Sequence, residues 1–459
     1  MTAFRAMPDR RAVLRSLAGA SLALPGILGQ LLAADANPLA ARRPHFPAKA
    51  KRVIFLYSTG GVSHMDTFDP KPALIKSDGK TLGVGGGLSN KQRILVKPLW
   101  DFKPGGKCGT PVSDLFPHIR DRMDDICLIK SMKSDENEHY QATLAMHCGS
   151  FFFTRPSIGS WVSYGLGSVN RNLPSFMVIA PHMPYAGTQV YGNDFLPAYH
   201  QGTRVVPGKE PVPNLEKRTK TARLQELELG LAEDLNREHL KKSGHEGDLA
   251  ARIQSFETAF RMQAEAPEAF DLSKETKETL ALYDLKEGQT EGFGWQCLVA
   301  RRLAERGVRF IELIDTGSSN NWDSHNHMKD HEGLAKKIDK PIAGLLTDLK
   351  RKGMLDDTLV VWTTEFGRTP GQDSPYGRGH HSACFSSWMA GGGVKGGISY
   401  GETDDIAATV AKDRVHVHDF HATILHLLGI DHEKLTYRHG GRDYRLTDVH
   451  GNVVRKILA

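Results

Sequence analysis

Cysteine is scarce in this chain. Five residues in 459, Cys108, Cys127, Cys148, Cys297 and Cys384, make an odd number with no two closely spaced. That excludes a CxxC redox pair or zinc ribbon and argues against a dense disulfide framework, leaving most of them as small buried apolar residues. Charge of one sign is also in short supply. Lys+Arg 59 against Asp+Glu 53 leaves +6, spread along the chain, which is too little to imply a nucleic-acid or membrane-surface partner. No GxGxxG follows a strand, which disfavours a nicotinamide-binding fold. The Gly-rich run Lys80 to Leu88 (KTLGVGGGL) lacks the GKS/T ending of a phosphate loop and reads as a plain loop. Internal repeats are missing too, and no segment is long and apolar enough for a stable transmembrane helix. With 40% hydrophobic and 24% charged residues, disorder and collagen-like structure are excluded. At roughly 150 residues per domain the length suggests about three domains, or one large α/β domain carrying an insertion.

The N-terminus supplies an address. Arg10-Arg11 precede a mildly apolar stretch from Leu17 to Leu32, interrupted by Pro25, and Ala34-Asp35-Ala36 offers a small-residue cleavage site before Asn37. This resembles a twin-arginine signal peptide over residues 1–36, which implies export to the periplasm or beyond by the Tat translocase.

Continuous apolar runs predict buried strands at Val53 to Tyr57, Ile126 to Ile129, Phe176 to Ile179, Val308 to Ile314 and Leu359 to Trp362. Helical periodicity appears at Trp295 to Glu305 and Phe420 to Leu428, each stopped by a glycine. Helices alternating with such strands predict a mainly parallel α/β sheet. Between about 218 and 285, Leu249, Ile253, Phe256 and Phe260 recur at helical spacing among charges, as in a helical insertion with a packing face. Phe151-Phe152-Phe153 reads as packing or a pocket wall. Gly397 to Gly401 spells GxSxG, but its flanks read as a hairpin loop and not as the strand and helix a nucleophile elbow needs.

Histidine is the compositional outlier, with 21 residues concentrated in the C-terminal half. Ligands of open α/β sheets sit beyond the carboxyl ends of the strands. Ser63, His64 and Asp66 follow the first strand. Glu136 to His139 follow the second. Asp323, His325 and His327 follow the fourth. Glu365 and Arg368 follow the fifth, and His380-His381 come soon after. Carboxylate oxygen and neutral imidazole nitrogen are the ligands of Zn²⁺, Mn²⁺ or Fe, so their gathering at one rim predicts a metal site. Asp66 would be a ligand or a turn residue. His325 and His327 compete for one place beside Asp323. Glu365 is either a ligand or the ion-pair partner of Arg368. Of His380 and His381, one would bind the ion and the other support it. His416, His418, Asp419, His421 and His426 lie on and before a helix and read mainly as a capping and packing set.

The strings GGVSHMDTFDPKP (60–72), RPSIGSWVSYGLGS (155–168), TTEFGRTP (363–370), GHHSACFSSWMAGGGVKGG (379–397) and HDFHATILHLLGIDHEKLTYRHGGRDYRLTD (418–448) resemble the DUF1501 family. That family is similar in fold to the sulfatase/alkaline-phosphatase superfamily. The resemblance implies a mainly parallel sheet flanked by helices over residues 50–459, a divalent metal (Zn, Mn, Ca or Fe), and a phosphate or sulfate ester as substrate, sulfated polysaccharide included. It places Asp66, Asp323, His327 or His325, Glu365 and one of His380 and His381 among the metal ligands. His139 occupies the position where sulfatases carry a Cys or Ser nucleophile. The resemblance therefore implies His139 as a further ligand, water activated by the metal as nucleophile, and Arg368 as the group that neutralises the substrate anion. The same loss of a nucleophile keeps a second reading open: a non-catalytic envelope protein that retains the fold and a structural metal.

Overall fold

The computed structural model describes residues 39–81, 94–213, 215, 221–243 and 247–459. The expected signal segment 1–36 and residues 82–88 of the Gly-rich run lie outside them. In chain order the principal elements are β1 (Arg52–Tyr57), β2 (Ile126–Lys133), α1 (His139–Cys148), α2 (Ile158–Leu166), β3 (Phe176–Ile179) and β4 (Thr203–Val205). Next come α3 (Ala222–Ser243), α4 (Gly247–Phe270), α5 (Lys277–Leu282), α6 (Phe293–Glu305), β5 (Phe310–Ile314), α7 (Asp330–Arg351) and β6 (Thr358–Thr363). The last group is β7 (Gly367–Ser374), β8 (Gly377–His381), β9 (Phe385–Ala390), β10 (Ile398–Tyr400), β11 (Val415–His416) and α8 (Val417–Leu427).

The central sheet runs β10-β2-β9-β6-β1-β5-β3-β4, with β11 also pairing β2. All its pairings are parallel except those of β9, which runs antiparallel to both β2 and β6. Successive strand residues face opposite sides, and β1 shows the consequence. Ile54 and Leu56 enter one core with Trp295 and Leu303 of α6 and Leu345 of α7. Val53, Phe55 and Tyr57 enter the other with Leu144 of α1, Trp161 of α2 and Ile424 of α8. Helices thus cover both faces, as the continuous apolar strands require. Among the described residues no helix is long and apolar enough to cross a membrane.

The GxSxG string contains β10, a short edge strand parallel to β2, and its C-terminal flank is the expected hairpin, Glu402–Thr403 antiparallel to Val410–Lys412. Two local expectations change. Phe152 and Phe153 are 77% and 70% exposed, so neither is packing. The predicted C-terminal helix starts earlier, at Val417, because His416 and Asp419 form a reciprocal capping box that satisfies its first turn.

Candidate metal centre

Three segments beyond the carboxyl ends of the strands deliver the centre. α1 brings His139 in its first turn. The helix ends at Gly149, whose φ of 67° closes it; a Cβ there would meet the Leu446 carbonyl oxygen at 2.2 Å. The turn after β5 brings Asp323, its backbone N–H held by the Asn321 side chain at 3.0 Å. This turn presses on Gly60, φ 113°, where a Cβ would meet Asn321, Trp322 and Asp323 atoms at 2.7–2.8 Å, so only glycine fits. His325 follows two residues on. His380 comes from β8, paired with β7.

Asp323 is the hub. Its Oδ1 lies 3.0 Å from His325 Nε2, 3.2 Å from His380 Nε2 and 2.6 Å from Arg368 Nη2; its Oδ2 lies 3.2 Å from His139 Nε2. His325 and His380 touch through their own Nε2 atoms at 2.8 Å. One ligand atom from each of His139, Asp323 and His380 lies within 4.8 Å of the others. Around a tetrahedral ion with bonds of 2.0–2.1 Å, ligand atoms stand about 3.3 Å apart, so the spacing fits.

The far side of each ring is fixed. His139 Nδ1 meets Glu365 Oε1 at 2.7 Å, His325 Nδ1 meets Asp373 Oδ2 at 2.8 Å, and His380 Nδ1 meets the Asn137 carbonyl oxygen at 2.6 Å. All three partners accept only, so each Nδ1 carries hydrogen and donates. Each Nε2 is left to face Asp323 with a lone pair or an added proton. Three lone pairs turned on a carboxylate repel unless a cation or protons lie between them. His139 Nε2 is in fact a buried nitrogen without a hydrogen-bond partner. This arrangement, rings anchored outward and converging inward, is how proteins prepare imidazoles for a metal.

The electrostatics agree. Burial pushes the Asp323 carboxyl up, but the facing His139, His325 and His380 rings and the charge of Arg368 outweigh that and hold it far below the usual carboxylate range. Burial lowers His139, yet the neighbouring Asp323 and Glu365 carboxylates raise it overall. His325 is raised by Asp323 first, against burial, with Asp373 adding to the rise. His380 is lowered, burial winning over Asp323. A proton on His325 donated to a neutral His380 accounts for their 2.8 Å contact.

Several expected ligands are placed elsewhere. Asp66 sits in a helical turn with its carboxylate on Arg378 Nε at 2.8 Å, the Ser63 hydroxyl and the Leu99 N–H. His381 Nε2 donates to the Ala408 carbonyl at 2.7 Å, and its ring stacks on His64. Residues 380 and 381 are consecutive on a strand, so only one can face the centre. His327 is exposed in the turn leading into α7. Glu365 is neither ligand nor partner of Arg368. Its four hydrogen bonds, to His139, the Gly60 N–H, Tyr57 and Thr364, saturate it as the holder of His139. Arg368 is fully buried and spends its donors on Asp323 and the carbonyls of Gly60, Gly61, Trp322 and Arg378. It faces Asp323. Sequence reasoning missed Asp373, the Asn137 carbonyl, and Tyr185, whose ring stacks on His139 at 4.2 Å. Nothing in the local pattern around these residues marks them.

Glu365→Gln is expected to weaken metal binding roughly 10- to 100-fold, because an amide lacks the charge that makes His139 a strong donor. Competitive titration against a chelating dye measures it; unchanged affinity would remove Glu365 from this role.

No curated protein matches the sequence. Among solved structures, the chain is similar to the lipoteichoic acid synthase LtaP from Listeria monocytogenes, at 8% identity and a TM-score of 0.37, over 90% of this chain and 79% of that one. It is also similar to PsFucS1 sulfatase from Pseudoalteromonas sp., at 13% and 0.37, over 93% and 73%. The alkaline phosphatase from the Antarctic bacterium TAB5 matches at 12% and 0.36, over 83% and 98%. Such values carry no chemistry across. The family model described as "Protein of unknown function (DUF1501)" matches residues 50–458, almost the whole described chain, and on that ground the chain belongs to the DUF1501 family.

Proposed function

We propose that the chain is an exported, metal-dependent hydrolase of phosphate or sulfate esters, those of polysaccharides included, with His139, Asp323, His325 and His380 holding one divalent ion. The observation that carries the proposal is the set of three rings anchored at Nδ1 and converging through Nε2 on one carboxylate. Three nitrogens and one oxygen suit Zn²⁺ or Fe²⁺ better than Ca²⁺, which takes six to eight oxygens. When bound, such an ion acts as a Lewis acid that acidifies water and polarises an ester oxygen. The chain's own residues set the stage for that chemistry. Glu365 and Asp373 hold the His139 and His325 rings in one tautomer, and Arg368 fixes the Asp323 carboxylate. Tyr185 and Phe366, with rings 4.2 and 4.8 Å from that of His139, wall the centre on the His139 side.

Metal analysis of the purified mature protein, with hydrolysis of chromogenic phosphate and sulfate esters before and after chelation, tests the proposal. About one transition-metal ion per chain and activity lost on chelation support it; the absence of stoichiometric metal would sink it. A second reading, a binding protein that keeps the ion without turnover, is favoured by one observation: Arg368 and Arg378 are both buried and committed to carboxylates and carbonyls. Metal without hydrolysis of any ester would select it. Export rests on Arg10-Arg11, and replacing both with lysine should keep the protein in the cytoplasm.

Protons compete with the ion for the same Nε2 lone pairs. Since His139 and His325 are raised above the ordinary 6.5, metal affinity should begin to fall above that pH as the solution is acidified, and fall steeply below it. Dissociation constants measured from pH 8 to pH 5 check this; a flat profile across pH 7 to 6 contradicts it.

A further inference from the structure

An anion that meets the centre needs a hydrogen-bond donor, and the two arginines nearby, Arg368 and Arg378, are buried and already bonded to carboxylates and carbonyls. The open side of the centre lies elsewhere. Asp323 and His325 keep 24% and 34% of their side chains exposed, while Glu365 keeps none. Tyr185 stands over His139, half-buried, its ring 4.2 Å away and within 10° of parallel. Its hydroxyl is aimed by Asn321. The Asn321 Oδ1 accepts the Asp323 N–H at 3.0 Å, and its Nδ2 donates to the Gly317 carbonyl at 2.9 Å and to Tyr185 Oη at 3.1 Å. The Asp323 N–H and the Gly317 carbonyl fix which end of the amide is oxygen and which is nitrogen, so Tyr185 Oη accepts the third bond. The phenol's own hydrogen then points away from Asn321, and among the described residues it has no acceptor. Packing on His139 explains the ring; it gives no reason for a hydroxyl oriented through the turn that carries Asp323.

We propose that the Tyr185 hydroxyl receives a tetrahedral oxyanion at the metal centre, donating its hydrogen bond to a non-bridging oxygen of a sulfate or phosphate group. The inference rests on the metal-dependent reading of the centre and adds the group that meets the anion, a role the resemblance assigned to Arg368. A phenol keeps its hydrogen at neutral pH and donates it without bringing a charge. Stacking on His139 and the bond from Asn321 hold the ring and the oxygen in place beforehand, so little has to reorganise when the anion arrives. A hydrogen bond to an ionised oxygen is also stronger than one between neutral groups.

Zn²⁺-loaded full-length protein, titrated by calorimetry with inorganic sulfate and with inorganic phosphate, tests the proposal. Tyr185→Phe keeps the ring over His139 and removes only the hydroxyl. It is expected to hold Zn²⁺ as tightly as the wild type in competition with a chelating dye, which also shows that it folds. It is expected to bind at least one of the two anions roughly 10- to 100-fold more weakly. The anion whose affinity falls identifies the group that the hydroxyl meets. Anion affinities equal to those of the wild type overturn the proposal and leave the metal centre standing. So does a Zn²⁺ affinity that falls with the hydroxyl, since Tyr185 would then support the ligands and not the anion. A wild type that holds Zn²⁺ but neither anion removes this role alone; one that holds no Zn²⁺ removes the centre and the role together. Chromogenic esters give a second readout: kcat/KM for the ester of the favoured anion should fall by a similar factor in Tyr185→Phe, and an unchanged value overturns the proposal.

Discussion

Asp323→Ala is expected to abolish metal binding at the centre and, with it, any ester hydrolysis. The carboxylate contacts all three Nε2 atoms and Arg368 at once, so its loss removes a ligand and the charge around which the rings are arranged. The drop in affinity should exceed the roughly 10- to 100-fold typical of losing a supporting partner. Stability should fall as well, by about 3 kcal/mol, because Arg368 is left buried without its ion-pair partner. That is the low end for breaking such a pair, since four backbone carbonyls still accept from the guanidinium. Asp323→Asn separates the two effects. It preserves shape, so metal at this centre should vanish with a smaller stability loss. Metal still held by His139, His325 and His380 in either variant would mean that Asp323 is not its anchor.

Asp66→Ala is expected to do the reverse: lower stability by roughly 3–5 kcal/mol and leave the metal content unchanged. Asp66 and Arg378 are 0% and 1% exposed and paired at 2.8 Å. Arg378 also donates to the carbonyls of Val96, Lys97, Thr369 and Pro370, so the pair ties the loop before residue 98 to β7. Removing the carboxylate strands a charge in the core; denaturant unfolding reads the cost, and metal analysis of the folded fraction reads the site. If the metal disappears while stability holds, Asp66 is a ligand after all.

These two residues show how far the sequence could be read. The strands announced themselves because a β-strand buried on both faces is a continuous apolar run, and the runs from Val53 and from Phe176 are unambiguous. That carboxylates and imidazoles follow such strands was also plain, and Asp323, His325, His139 and His380 were all named from it. Direction was not plain. Asp66 and Asp323 both follow a strand within about ten residues, but one lies in a helical turn facing Arg378 and the other in a turn facing solvent and the rings. His380 and His381 are chemically identical neighbours separated only by strand alternation, whose phase depends on the register of β8 against β7. Arg368 looked like a substrate clamp because an arginine near a presumed anion site invites that role; its burial is a tertiary fact. Asp373 and the Asn137 carbonyl act at a distance in sequence of 48 and 243 residues from the rings they hold, and no local pattern encodes such a pairing.

The hub and its rings come from α1, the turn after β5 and the β7–β8 hairpin, so no fragment of the chain contains the full set of donors. A half-folded chain has nothing with which to hold the ion tightly. On the proposed metal-dependent reading, occupancy is therefore a gauge of completed folding: tight binding and global unfolding are linked, and the melting temperature should climb with free metal concentration as RT ln(1 + [M]/Kd) demands. On that reading, a cell short of the ion would feel the shortage first as a less durable protein.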